Sequence, residues 1–167
     1  MDSMPFVQGV NSQAAFDFFY YGLKDVVEEK IVSQAEIRHV ASVFASYAKT
    51  SRYDTGSVPM LADLSEAFHW FVLQPRSRFD EELLEIAGAQ SLLFVSLFRD
   101  QMRRRHNVAW WEHLGAGFYY NASSIARGPN RRSLFGGMAL NFKAWARRGY
   151  ILHRKLQEDK YLFRPLQ

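Results

Sequence analysis

Two segments of the chain place a carboxylate and an imidazole one helical turn apart, Glu36-Ile37-Arg38-His39 and Glu66-Ala67-Phe68-His69. Facing one another inside a helical bundle, two such Glu-x-x-His pairs would offer the oxygens and ring nitrogens that hold a pair of transition-metal ions. Chance spacing supplies about a quarter of one match in a chain of this composition, so two invite the reading. The same carboxylates have a plainer use. Each Glu stands three residues after Ser33 or Asp63, the capping-box spacing in which it accepts from a backbone N–H at a helix start. Both His fall off the apolar stripes of their helices. Glu36, His39, Glu66 and His69 are therefore weak metal candidates, and no cofactor is expected.

Other chemistry is thinner still. The chain has no Cys, which removes thiolate nucleophiles, thiolate metal sites and disulfides. It has no Gly-x-Ser-x-Gly elbow, no phosphate-cradling loop ending in Lys-Ser or Lys-Thr, and no His-Glu-x-x-His. Gly115-x-Gly117 lacks a third glycine and a preceding strand. His106 and His113 lie seven residues apart with Glu112 nearby, a slight acid–base set. Asp17, Asp25 and Glu28 are scattered polar positions. No catalytic residue is assigned.

Charge is more informative. Residues 1–98 carry seven Lys and Arg against thirteen Asp and Glu, a net −6, and residues 99–167 carry fourteen against four, a net +10. A basic half of this kind suggests a meeting with nucleic acid, an acidic protein or anionic lipid, or with the acidic half of its own chain or of a second copy. Arg103-Arg104-Arg105-His106, followed by Trp110-Trp111, combines phosphate-neutralising guanidinium groups with rings on which unpaired bases stack. Arginines at a helix C-terminus are also favoured by the helix dipole alone, and Trp110 and Trp111 cannot both face the same side of a helix.

The second basic cluster comprises Arg131, Arg132, Lys143, Arg147, Arg148 and Arg154. A turn at Gly128-Pro129-Asn130, a basic helix from Ser133, a stop at Gly149 and a hairpin pairing Tyr150-Ile151-Leu152 with Tyr161-Leu162-Phe163 resemble the last helix and wing of a winged helix-turn-helix. The resemblance covers at most the last third of the chain. It implies a helix entering a major groove and a hairpin riding the phosphates. The leucines at 152, 156 and 162 fit a continued helix equally well.

These residues need elements to position them, and the periodicity predicts helices. Ser12 caps one from Gln13 to Lys30, with Phe16, Phe19, Tyr20, Leu23, Val26 and Val27 on one stripe. Ser33 opens a second, to Lys49, with Ile37, Val40, Ala41, Phe44 and Tyr47 apolar. Thr50–Pro59 reads as a loop, and Asp63 starts a short helix through Phe71 that stops before Pro75. Asp80–His106 reads as one long central helix, acidic at its start, apolar from Ile86 to Phe98 and basic at its end. After Asn107, Val108–Arg127 is helical, although Gly115 and Gly117 weaken it by about 1 kcal/mol each relative to Ala.

The expected fold is mainly α: a single helical bundle around the helix at about 80–106, with a small C-terminal hairpin as one option. Residues 1–106 form an acidic helical core and residues 107–167 a basic segment packed on it, most simply as one domain. The thirteen uncharged residues from Ile86 to Phe98 are too few for a membrane span of about 20. The opening Met1-Asp2-Ser3-Met4-Pro5 has no signal-peptide pattern, which points to the cytoplasm. Three functions are weighed: binding nucleic acid through the basic half; a non-catalytic helical interaction or assembly subunit docking on an acidic partner, homo-oligomers included; and, far behind, a metal-dependent bundle enzyme.

Overall fold

The first helix, α1 (Ser12–Val26), turns its apolar stripe onto α2 (Gln34–Tyr53) to make an antiparallel helical hairpin. Leu23, Val40 and Phe44 are fully buried there. The Phe19 ring meets Phe44 edge-on with centroids 5.8 Å apart, and the Tyr20 hydroxyl donates to Gln34 Oε1 at 2.7 Å. α1 ends before the expected Lys30, where Glu28 opposes the negative end of the helix dipole. α2 runs past Lys49 into the segment expected to be loop.

The computed structural model describes residues 12–28, 32–53, 80–105 and 107–158. The helix expected at Asp63–Phe71 lies outside them. The chain divides into two compact units, Met1–Glu66 and Ala67–Gln167, and the switch from acidic to basic sequence at about Arg99 falls inside the second. Seven helices and no strand occur among the described residues. None of the described helices is long and apolar enough to cross a membrane.

In the second unit α3 (Glu81–Ser96) is capped by Asp80, whose side chain accepts from Leu83 N–H at 3.1 Å. The expected single helix Asp80–His106 is interrupted at Leu97–Phe98, and α4 (Arg99–Arg105) follows. The cause is local. The Ser96 hydroxyl donates back to Leu92 O at 2.5 Å, a bond that bends helices. The Phe98 N–H then reaches five residues back, to Leu93 O at 3.4 Å, widening the turn. The Arg99 guanidinium donates to Val95 O at 3.2 Å, satisfying a carbonyl at the broken turn.

Asn107 caps α5 (Val108–Ile125) by accepting from Trp110 N–H at 3.3 Å. α6 (Pro129–Leu140) opens on Pro129, where the missing N–H costs nothing. The expected single helix from Ser133 to Gly149 is also two helices. Asn141 ends α6 by donating to Gly137 O at 2.9 Å, and its own carbonyl accepts from Trp145 N–H at 2.9 Å to start α7 (Phe142–Glu158). Gly149 is buried within α7 and stops nothing. Tyr150-Ile151-Leu152 is therefore helical, which removes the first arm of the expected hairpin; Tyr161-Leu162-Phe163 lies outside the described residues.

α3 packs against α5 and α7, and α5 against α6. The core is aromatic, with Tyr119, Phe135, Phe142 and Trp145 nearly inaccessible. Tyr119 stands 6.1 Å, centroid to centroid, from both Phe135 and Phe142, within the range in which aromatic pairs attract. Glycines make the close approach possible. A Cβ on Gly88 would come 2.8–3.0 Å from the Tyr119 ring, and one on Gly115 would fall inside the Phe142 ring's envelope, whereas Gly117 faces open space. Among the described residues no buried side-chain N or O lacks a hydrogen-bond partner.

Candidate nucleic-acid interface

α7 buries Phe142, Trp145, Ala146, Gly149 and Leu152, the i, i+3, i+4, i+7 pattern of a helix with one face in the core. Lys143, Arg147 and Arg154 sit on the other side, all exposed. Their spacing of four and seven residues places them within about 40° of helix circumference, in a row about 16 Å long. Arg154 stands 4.0 Å from Glu158. No carboxylate among the described residues lies within ion-pairing distance of Lys143 or Arg147.

α4 flanks this row. The Arg99 and Arg103 guanidinium carbons lie 5.8 Å from the centroid of the half-buried Tyr150 ring, and the Tyr150 hydroxyl donates to Asp100 Oδ1 at 2.9 Å. Arg99 is also held by Glu112 of α5, Nη1 to Oε1 3.5 Å, with the carboxylate largely buried. Arg99 thus ties α3, α5 and α7 together, while Arg103 and Arg104 project outward. Arg105 ends α4. His153 lies beside this contact. Burial pushes its imidazole below the usual value, Arg154 adds to the effect, and Asp100 opposes it.

The remaining basic candidates are engaged. Arg131 pairs with two carboxylates at the start of α3: its Nε with Glu81, and its Nη2 with Glu85 Oε2 at 2.6 Å. That pairing holds the Glu81 carboxyl below and the Arg131 guanidinium above their ordinary pKa ranges. Arg132 donates to Ala126 O at 3.2 Å, closing the α5–α6 turn. Arg148 lies 4.5 Å over the Trp145 ring and shields it. Of the Trp pair, Trp111 is buried and Trp110 is 46% exposed, and the two meet edge-to-face. His113 is exposed and His106 lies outside the described residues.

Two of the four metal candidates, Glu36 and His39, lie among the described residues. Glu36 is buried and its backbone N–H donates to Ser33 Oγ at 3.4 Å, half of the expected capping box. His39 is half-buried; Glu66 and His69 lie outside the described residues. No group of three potential metal ligands occurs among the described residues.

Comparison of the chain with protein-family models, curated proteins and solved structures finds no match.

Tyr150, Asp100 and Arg99 went unnoticed in the sequence because a possible helix stop at Gly149 left Tyr150 open between a hairpin arm and a continued helix. The usable signal was the continuation of the apolar pattern from Phe142 to Leu152 through Gly149, which aligns Lys143, Arg147 and Arg154.

Proposed function

We propose that the outer face of α7, with Arg103 and Arg104 of α4, binds the phosphodiester backbone of nucleic acid without reading sequence. The observation that carries this is the row Lys143, Arg147 and Arg154, exposed on a helix whose apolar side is occupied by the core. Three cations in a row of about 16 Å can each neutralise a phosphate of one strand. The winged-helix route to base readout is not retained. Its wing lacks the first arm, and Arg131 and Arg132, which would have begun the reading helix, are held by Glu81, Glu85 and Ala126 O.

A titration of labelled oligonucleotides at low salt tests the reading. The wild-type chain binds, and replacing Lys143, Arg147 and Arg154 by Gln abolishes most of the affinity. Arg131→Gln binds as wild type. Absence of binding by the wild-type chain overturns the proposal. A second reading, docking on a protein, draws on a different face: Trp110, His113 and Tyr120 lie exposed along α5, the last at 64%, and an exposed aromatic stripe without charge is what protein interfaces favour. The charge segregation and the α7 row favour nucleic acid.

A further inference from the structure

We infer that the strand bound by this face is single, and that Tyr150 stacks one of its bases; the inference rests on the phosphodiester reading above. Along α7 the exposed cations Lys143, Arg147 and Arg154 share their side of the helix with the half-buried Tyr150, so an aromatic ring stands within the row of cations at about one-turn intervals. Cations at this spacing can neutralise successive phosphates, and a ring among them meets the base attached to one.

The ring is prepared for that contact. Its hydroxyl is fixed by Asp100 at 2.9 Å, and its flank rests against α4, so its orientation is set before any ligand arrives. Asp100 holds only the hydroxyl at the ring's tip. The two guanidinium groups that lie over the ring differ in freedom. Arg99 is tied to Val95 O and Glu112 and stays. Arg103 is exposed, and at 5.8 Å its guanidinium carbon is near the outer limit of a cation–π contact, so it can swing to a phosphate and leave the ring to a base. A duplex offers no unstacked base to such a ring; a single strand does.

The experiment compares the full chain with three ligands of equal length, about 12 nucleotides: a single-stranded oligothymidylate, the same phosphodiester chain without bases, and a duplex. The wild-type chain is expected to bind the oligothymidylate at least about fivefold more tightly than the abasic strand. Tyr150→Leu erases that preference and leaves the salt dependence and the duplex affinity unchanged. Tyr150→Phe, which loses the Asp100 bond but keeps the ring, retains the preference.

Equal affinity of the wild-type chain for the abasic and base-bearing strands overturns the stacking inference while leaving the backbone reading intact, and needs no variant to fold. Equal losses for single strand and duplex in Tyr150→Leu overturn it as well, because they assign Tyr150 to holding α4 on α7. No binding to any of the three overturns both readings.

Discussion

Gly115 and Gly117 stand two residues apart in α5, yet substitution by Ala should move stability in opposite directions. In an isolated helix each Gly→Ala change would stabilise by about 1 kcal/mol. Gly117 faces open space, so the gain there stands, about 1 kcal/mol. At Gly115 the new methyl would overlap the Phe142 ring, which is 1% exposed and backed by Tyr119. The ring has nowhere to withdraw, and overpacking of a tight core costs about 1–3 kcal/mol; with overlap this deep the upper part of the range applies, leaving a net loss of about 2 kcal/mol. The two variants therefore differ by about 3 kcal/mol, equivalent to more than about 10 °C in melting temperature for a unit of about 100 residues. All four Trp of the chain lie in Ala67–Gln167, so urea unfolding followed by Trp fluorescence reports on that unit. A urea midpoint of Gly115→Ala at or above that of Gly117→Ala would refute the α5–α7 contact that turns the basic row outward.

Arg131→Gln should lower stability by about 1 kcal/mol, as expected for exposed ion pairs, with a deficit that shrinks as salt rises and with nucleic-acid affinity unchanged; a large affinity loss would mean the arginine leaves its glutamates for the ligand. Glu112→Ala should cost about 2 kcal/mol, between the values for exposed and fully buried pairs, because Arg99 is left half-buried without a carboxylate, against Val95 O and the Tyr150 ring; urea midpoints measure it. Acid should destabilise the fold in two stages. His153 has its pKa lowered on folding, so the unfolded chain binds the proton first and stability declines as pH falls through the ordinary value of 6.5 toward the folded one. Glu81 is likewise lowered, by Arg131, so its contribution is present above the ordinary carboxylate pKa and is lost below it. His153→Gln should remove the first stage and Arg131→Gln should diminish the second; an unchanged pH profile in both would contradict these assignments.

Helices and their apolar faces were legible wherever a long stripe repeats, as in α1, α2 and α5, and where a cap is spelled out, as at Ser33 ahead of α2. Breaks were not. Leu97–Phe98 carries neither Gly nor Pro, and its interruption comes from a serine hydroxyl bonding its own backbone and an arginine satisfying a freed carbonyl, three-dimensional events without a composition signal. Gly149 misled in the other direction. A glycine at the end of a basic helix reads as a stop, but here a side chain is omitted because the position faces the core. The basic character of residues 99–167 was plain, but which cations are exposed was not, since that depends on Arg131 meeting Glu81 and Glu85 from 46–50 residues away and on which side of α7 reaches Phe142 and Trp145 into the core.

The central claim is that the cations of α7 and α4 neutralise phosphates, and the salt dependence of single-strand affinity tests it most directly. Five cations, Arg103, Arg104, Lys143, Arg147 and Arg154, predict a slope of log affinity against log salt of about −3.5, falling to about −1.4 when the three on α7 are replaced by Gln. A wild-type slope near zero, or a slope that the triple replacement leaves unchanged, would contradict it.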